Sequence, residues 1–264
     1  MKLKNAKVVI TGGSQGIGEG IAEAAAKRGA DILLVARTES NLQQVSEKIG
    51  ADYLVADLTK ADDVDTLVDR AIEKLGHVDI WINNAGTETI DTFVNTSFDQ
   101  VRTLARLNFE ASLLLTHQVL PHMLQRGTGH VVFTSSVAGA IPFPGLAAYC
   151  GSKSGLTSFA ETLRMELAGS GVNLTILAPG PVDTPMWDRL EASEEKYLVR
   201  SIRRFRQLGF LPKLSPSSYG EDVATAIEKD KPHLRSPRRY GIYHALNNAP
   251  RKMVRMALIG IKPR

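Results

Sequence analysis

A glycine-rich turn between a strand pattern and a helix pattern is the feature that most restricts how this chain can fold. Residues 7–11 form a short β-branched run, which is typical of a buried parallel strand. Glycines spaced as G-x-x-x-G-x-G follow at 12–18, and apolar residues then recur at helical spacing up to Gly29. Strand, turn and helix form the first half of a βαβ unit, in which glycines allow close backbone approach and the helix N-terminus favours a pyrophosphate.

The alternation of strand and helix patterns continues along the chain. Further strands are predicted at 31–36, 53–58, 78–82, 129–134, 172–177 and 238–243. Helices are predicted at 61–75, 98–108, 110–126, 149–168 and 221–229. We therefore expect an α/β fold of the Rossmann type, a doubly wound parallel sheet in a single domain over residues 1–264, with its ligand at the carboxyl ends of the strands.

A second pattern, in the middle of the chain, indicates acid–base chemistry. Tyr149 and Lys153 are four residues apart, a spacing that places them on one face of a helix. An ammonium beside a phenol lowers the pKa of the phenol, and such a tyrosine acts as a general acid or base near neutral pH. Ser136 follows an apolar run thirteen residues before Tyr149, where its hydroxyl is able to hold a carbonyl oxygen.

Together these motifs resemble the short-chain dehydrogenase/reductase family in its compact one-domain form, over roughly residues 5–185. The resemblance implies hydride transfer between a nicotinamide and a carbonyl or alcohol carbon. Ser136 would orient the oxygen, Tyr149 would exchange the proton, and Lys153 would hold the ribose and activate Tyr149. Asn108 would organise a water for proton relay, the alternative being a plain helix-junction asparagine. The cofactor carries the redox chemistry, and no His/Cys cluster has metal-ligand spacing, so no metal is predicted.

The resemblance also implies where the cofactor binds. It places the segment around Asn84 beside the adenosine ribose and the loop from Pro179 to Thr184 around the nicotinamide carboxamide. Asp57 would contact the adenine, although it could equally cap the following helix. The full set is Gly12, Ser14, Gln15, Gly16, Ile17, Gly18, Arg37, Asp57, Leu58, Asn84, Ala85, Gly86, Tyr149, Lys153, Pro179, Gly180, Val182 and Thr184.

The end of the second predicted strand indicates which cofactor is used. An acidic residue there would bind the ribose 2′-hydroxyl of NAD, but this chain has Ala36 followed by Arg37. Arg37 is able to pair with a 2′-phosphate, so NADP(H) is predicted over NAD(H). The alternative is a surface arginine that caps the next helix. Gln15 departs from the many NADP-binding family members that carry a second basic residue in the glycine turn.

Apolar residues around the predicted site favour a lipophilic substrate. The loop at 140–144 is apolar, and residues 185–215, where the family keeps its substrate-covering segment, contain Met186, Trp187, Phe205 and Phe210. We expect a small-molecule carbonyl or alcohol substrate such as a steroid or a long-chain or cyclic ketone. A non-catalytic nucleotide-sensing or scaffold protein on the same fold is the alternative, but such a protein would be expected to lose the tyrosine or the lysine.

Charge is distributed unevenly along the chain. The net charge is +4, yet residues 186–264 carry nine more basic than acidic residues. The basic residues of this segment are either simply solvated or attract an anionic surface or substrate. The basic tail at 249–264 would contact anionic membrane lipid or pack on a neighbouring subunit. The chain has no recognised nucleic-acid-binding motif, and none is predicted.

Compartment and assembly are predicted from less specific features. The single cysteine, Cys150, excludes an internal disulfide and fits a reducing compartment. The first strand begins a few residues after Met1 with no signal peptide pattern, so we expect a cytoplasmic protein. In the resembled family, the helix that carries the catalytic tyrosine and the helix before it usually pack on a second subunit, which implies a homodimer or homotetramer.

Overall fold

The computed structural model describes residues 1–209, 211–237 and 256. Its strands are β1 (Lys7–Thr11), β2 (Asp31–Ala36), β3 (Asp52–Val55), β4 (Ile80–Asn83), β5 (Gly129–Thr134), β6 (Val172–Pro179) and β7 (His233–Ser236). Its helices are α1 (Gly16–Lys27), α2 (Glu39–Ile49), α3 (Ala61–Leu75), α4 (Phe98–Ala105), α5 (Ala111–Arg126), α6 (Ala147–Glu166), α7 (Pro185–Glu191), α8 (Lys196–Gln207) and α9 (Pro216–Glu228).

All seven described strands pair in parallel, in the order β3-β2-β1-β4-β5-β6-β7. The chain runs outward from β1 on one side and from β4 on the other, so the order reverses between these two strands. The predicted Rossmann-type sheet is therefore confirmed. In such a sheet the crevice at the reversal, beyond the carboxyl ends of β1 and β4, is the usual ligand position.

Helices cover both faces of this sheet, and the strand sequences reflect it. Every residue of β5 is buried, and its run Val131-Val132-Phe133 has no polar alternation. One core packs α3, α5 and α6 on the face that includes Trp81 and Phe133. The other core packs α1 and α9 on the face that includes Ile10 and Ile82. Burial on both faces fixes the strand positions and so fixes the loops at their carboxyl ends.

A helix junction and an edge strand differ from the sequence-based prediction. The separate helices expected at 98–108 and 110–126 form one continuous helical run with a π-helical turn, Arg106–Glu110, at the expected junction. In this turn Ala111 N–H bonds to the carbonyl of Arg106, five residues earlier. The edge strand β7 was not predicted, because its sequence His-Leu-Arg-Ser has no apolar run. The strand predicted at 238–243 lies outside the described residues.

Residues after β6 form two short helices above the carboxyl ends of the strands. α7 begins after Thr184, whose hydroxyl caps its first turn, and α8 begins after Glu195, whose carboxylate accepts from Tyr197 N–H and Leu198 N–H. α8 buries one face on an apolar cluster and exposes a basic face. We refer to α7 and α8 together as the lid. Within the described residues, no helix is both long and apolar enough to cross a membrane.

Candidate active site

The glycine turn is held against the end of β4 by a small hydrogen-bond network. Thr11 Oγ1 accepts from Asn84 N–H at 2.9 Å and from Ala85 N–H at 3.1 Å. The side-chain Nδ2 of Asn84 donates to the carbonyl oxygens of Thr11 at 3.1 Å and Gly12 at 3.2 Å. Gly12 has a φ of 65°, and a Cβ there would lie 2.9 Å from Ala85 Cα. Glycine is therefore required where the first turn crosses the Asn84-Ala85-Gly86 segment.

The start of α1 packs against the same turn. A Cβ at Gly18 would lie only 2.0 Å from the carbonyl oxygen of Gly12. Gln15 precedes the helix in an extended conformation, and its side chain makes no capping hydrogen bond to the first turn. The N–H groups that begin α1 are thus open to an anionic ligand.

Tyr149 and Lys153 project from the first turns of α6 into the crevice, one helical turn apart. The Lys153 ammonium nitrogen lies 5.8 Å from the centroid of the Tyr149 ring and donates to the carbonyl of Thr134 at 2.8 Å. Ser136 lies just after β5, where its Oγ accepts from Ala138 N–H at 3.1 Å. Strand β5 and helix α6 therefore bring the three side chains named by the sequence pattern to one place.

The acid–base properties of this group differ from the sequence-based prediction. Burial raises the pKa of Tyr149 to about 12, although a hydrogen bond with Ser136 acts in the opposite direction. Burial also lowers the pKa of Lys153 to about 8. The expectation that Lys153 lowers the Tyr149 pKa below its usual value was wrong for this structure. Lys153 is buried and Tyr149 is half-buried in the crevice, which disfavours the ammonium and the phenolate alike, and the ammonium is turned toward Thr134.

Asn108 lies within the π-helical turn and is fully buried. Its Oδ1 accepts from Thr87 N–H and its Nδ2 donates to the Thr87 carbonyl, both at 2.8 Å. Nδ2 also donates to Ser152 Oγ at 3.2 Å. The side chain thus clamps the backbone that follows β4 and connects it to α6. Because Thr87 and Ser152 occupy its side-chain polar groups, any contact with a relay water would come through its backbone.

Arg37 follows β2 at the opposite end of the crevice. It is exposed, and Thr38 occupies the N-cap position of α2 without a side-chain capping bond, so Arg37 does not hold the capping position considered as an alternative. Burial acts to raise the pKa of Asp57, but hydrogen bonds from Thr59 and the charges of Lys60 and Arg37 outweigh it and lower that pKa. This end of the crevice therefore combines a carboxylate with nearby positive charge.

One cavity of about 900 Å³ connects these regions. Of the residues predicted from sequence, Gly18 and Asn108 do not line it, because both act behind the surface through packing and hydrogen bonding. The predicted residues that do line it are Gly12, Ser14, Gln15, Gly16, Ile17, Arg37, Asp57, Leu58, Asn84, Ala85, Gly86, Ser136, Tyr149, Lys153, Pro179, Gly180, Val182 and Thr184.

The lid closes one end of the cavity with apolar side chains, and we call this end the chamber. Leu190, Leu198 and Ile202 of the lid pack with Leu146 beside Tyr149. Met186 and Trp187 line the cavity as expected, whereas Phe205 packs behind its wall, edge-to-face on Phe143 at 5.4 Å. Phe210, also predicted for this segment, lies outside the described residues.

Sequence reasoning missed a charged pair in the chamber. Glu88 lines the cavity after the Asn84-Ala85-Gly86 segment, and Arg189 lines it from α7. The Arg189 Nε donates to Glu88 Oε1 at 2.8 Å and Nη2 donates to Oε2 at 3.3 Å. The two residues are 101 positions apart, so no local pattern in the sequence could have paired them.

Comparison with known proteins adds an independent line of evidence. Residues 6–195 match the model of the short chain dehydrogenase family. The chain belongs to the short-chain dehydrogenase/reductase family. Family members are oxidoreductases that bind a nicotinamide dinucleotide, act on small molecules and typically form oligomers.

Relatives within this family match most of the chain. An uncharacterised oxidoreductase of Staphylococcus epidermidis is 33% identical over 199 residues, which are 75% of this chain and 86% of that protein. An 11-beta-hydroxysteroid dehydrogenase 1A of Arabidopsis thaliana is 35% identical over 239 residues, 87% of this chain and 68% of that protein. A crystal structure of a short-chain dehydrogenase from Streptomyces avermitilis has a TM-score of 0.80 at 26% identity, covering 97% of this chain and 96% of that one.

Proposed function

We propose that the protein is an NADP(H)-dependent oxidoreductase that transfers a hydride between nicotinamide and the carbonyl or alcohol carbon of a lipophilic substrate. The observation that carries this proposal is the position of Ser136, Tyr149 and Lys153 in one cavity with an apolar chamber. Family membership supplies the oxidoreductase class. The cofactor preference, the substrate class and the residue roles are our inference.

The residues present fit a dinucleotide. The glycine turn comes so close to Ala85 and Thr184 that side chains at Gly12 and Gly16 would fill the crevice. Lys153 is buried with three N–H donors, and Thr134 supplies one acceptor. The free N–H groups that begin α1 would hold the pyrophosphate, Lys153 the ribose hydroxyls, and the loop after β6 the carboxamide. The nicotinamide, when bound, supplies or accepts the hydride.

Residues of this chain would transfer the proton and hold the substrate oxygen. Tyr149, whose pKa burial raises to about 12, carries its proton at neutral pH and would donate it to a carbonyl oxygen during reduction. In the reverse direction it would take the alcohol proton. Ser136 would hold the same oxygen by hydrogen bonding. Asn108 fixes the segment that carries Gly86 and Thr87, and we assign the proton relay to water at its backbone.

The preference for NADP(H) rests on Arg37. Its guanidinium is exposed directly after β2, where a ribose 2′-substituent is expected, and β2 ends in Ala36 with no acidic residue to hold a 2′-hydroxyl. Among the described residues, Arg37 has no ion-pair partner, so its bidentate donors are available to a phosphate.

The lipophilic substrate rests on the chamber. Apart from the Glu88–Arg189 pair, its wall is mainly aliphatic and aromatic, with side chains from α6, the lid and the loop at Phe143. Such a surface stabilises an apolar molecule by removing it from water. The relative from Arabidopsis thaliana is named as an 11-beta-hydroxysteroid dehydrogenase, which agrees with a steroid or another bulky cyclic ketone.

A spectrophotometric panel tests the proposal. The purified protein would be mixed with NADPH or NADH and with steroid, cyclic, long-chain or sugar carbonyls, and nicotinamide oxidation would be followed. We expect turnover of the lipophilic ketones with NADPH. Turnover restricted to small sugars would contradict the substrate class, and turnover with NADH alone would contradict the cofactor. Tight cofactor binding without turnover across the panel would favour the nucleotide-sensing alternative.

Assembly and location form a separate part of the proposal. We infer a homodimer or homotetramer in the cytoplasm, which light scattering and cell fractionation would test. The basic tail at 249–264, for which we infer contact with anionic lipid, lies outside the described residues. Failure of the protein to sediment with anionic vesicles at low salt would contradict that contact.

A further inference from the structure

The Glu88–Arg189 pair differs from the other ion pairs of the lid in what it connects. The lid's internal pair, Glu191 with Arg206, links α7 to α8. In contrast, Arg189 reaches from α7 to the segment after β4, which is the floor of the active site. The Glu88 side chain is only 4% exposed, whereas that of Arg189 is 53% exposed. The carboxylate is therefore enclosed, and the guanidinium covers it from the solvent side.

The position of Glu88 is fixed from behind by the catalytic framework. Asn108 clamps both backbone polar groups of Thr87, the preceding residue, at 2.8 Å. This clamp leaves Glu88 little freedom to follow Arg189 outward. Movement of α7 away from the floor would therefore break both charge-assisted hydrogen bonds to this carboxylate.

We propose that Glu88 and Arg189 form a latch that holds α7 over the chamber, and that Glu88 is a positioning residue which determines how well the site closes on a bulky substrate. The inference deepens the proposed function, on which its kinetic part rests. Two parallel N–H···O bonds define the orientation of α7 as well as its distance from the floor. Leu190, next to Arg189, is thereby held against the apolar cluster.

The charge of Glu88 also acts on the proton donor. The titratable groups facing Tyr149 are Lys153 and Cys150 on α6 and Glu88 on the floor, and Ser136 bonds to it from the end of β5. The negative charge of Glu88 contributes to the raised pKa of Tyr149, after the larger effect of burial. Breaking the latch from the Glu88 side should therefore change acid–base behaviour, whereas breaking it from the Arg189 side leaves that carboxylate in place.

Hydrogen exchange tests the latch without relying on activity. Glu88→Gln and Arg189→Met should each speed exchange of the amides at 186–191 about tenfold, while the β1 and β5 amides stay unchanged. Arg203→Met is the matched control, because Arg203 is an exposed arginine of the lid with no ion-pair partner among the described residues. Exchange within twofold of wild type in both latch variants would overturn the proposal. If Glu88→Gln does not fold, exchange in Arg189→Met alone tests the latch, because the Arg189 side chain is half exposed.

Kinetics on a ketone identified in the panel give the second readout. Arg189→Met should raise KM severalfold for a bulky ketone and leave KM for a small one nearly unchanged, and Arg189→Lys should partly restore it. Glu88→Gln should move the Tyr149-dependent limb of the pH profile to lower pH, and Arg189→Met should not. Equal KM changes for both ketones would contradict the positioning role, and an unmoved limb in Glu88→Gln would contradict the effect of the Glu88 charge on Tyr149. Absence of turnover in the wild type would contradict the proposed function but leave the exchange result standing.

Discussion

The Lys153 ammonium lies 5.8 Å from the centroid of the Tyr149 ring, yet the two groups do not form an ion pair that would activate the phenol. Lys153 instead donates to the Thr134 carbonyl at 2.8 Å. Lys153 is buried and Tyr149 is half-buried, and each has its pKa shifted toward its neutral form. The site is thus arranged around a protonated tyrosine and a readily titrated lysine.

Replacement of Tyr149 by phenylalanine should remove proton transfer and keep the ring packing. We expect Tyr149→Phe to bind NADPH like the wild type and to lose about 10²–10⁴ in turnover, the usual contribution of one positioned acid–base group. In the wild type, alcohol oxidation should rise with pH, because it needs the phenolate. Stopped-flow binding and steady-state rates measure both effects. Tyr53→Phe, at the sheet edge, is the control, and retention of most activity by Tyr149→Phe would rule out the assignment.

Burial of the charged Lys153 side chain should lower the free energy of unfolding of the protein. The pKa of Lys153 is about 8 in the folded protein against roughly 10.4 in an unfolded chain, so the cost of its buried charge is complete below pH 8 and relieved as pH rises toward 10. Lys153→Met should therefore be more stable than wild type at pH 7, by about 1–3 kcal/mol, with the difference shrinking toward pH 10.

Urea unfolding at pH 7, 8.5 and 10 measures this difference. Lys196→Met serves as the comparison, since Lys196 is an exposed lysine of α8. A stability difference between Lys153→Met and wild type that stays constant from pH 7 to 10 would show that burial of the charge is not its cause.

Arg37 should decide between the two nicotinamide cofactors. Loss of one charge-assisted pair costs about 1.5–3 kcal/mol, which corresponds to about a ten- to hundredfold weaker affinity. We expect Arg37→Ala to weaken NADPH binding by this factor and to leave NADH binding nearly unchanged, as measured by fluorescence titration. Lys60→Ala is the matched control, because Lys60 also lies near Asp57 but does not line the cavity. Equal wild-type affinity for the two cofactors would contradict this role.

Gly18 should be intolerant of any side chain. A Cβ there would lie 2.0 Å from the Gly12 carbonyl oxygen, so Gly18→Ala must displace the turn and should cost about 1–3 kcal/mol as well as cofactor affinity. Gly151 on α6 has nothing within 4 Å of the same position, and Gly151→Ala should be neutral or add up to about 1 kcal/mol. Thermal unfolding compares the two. A stable Gly18→Ala variant with normal cofactor binding would contradict the close packing.

Much of the site was predictable because its signals are local. The turn at Gly12, the spacing of Tyr149 and Lys153, and the serine after β5 depend on backbone periodicity over a few residues. Their convergence follows from the parallel sheet, since the carboxyl ends of its strands meet at one edge. The π-helical turn at Asn108 was placed as a helix junction, because a change from α to π hydrogen bonding leaves no clear mark in the sequence.

The sequence by itself determined the family, the Rossmann-type alternation and most of the residues that line the cavity, because each depends on short-range patterns of glycine, apolar and polar residues. Only the tertiary structure decided that burial raises the Tyr149 pKa, that Asn108 clamps Thr87, and that Glu88 meets Arg189. Desolvation and contacts between distant residues depend on what surrounds a side chain in space. That environment exists only after the sheet, the helices and the lid have packed together.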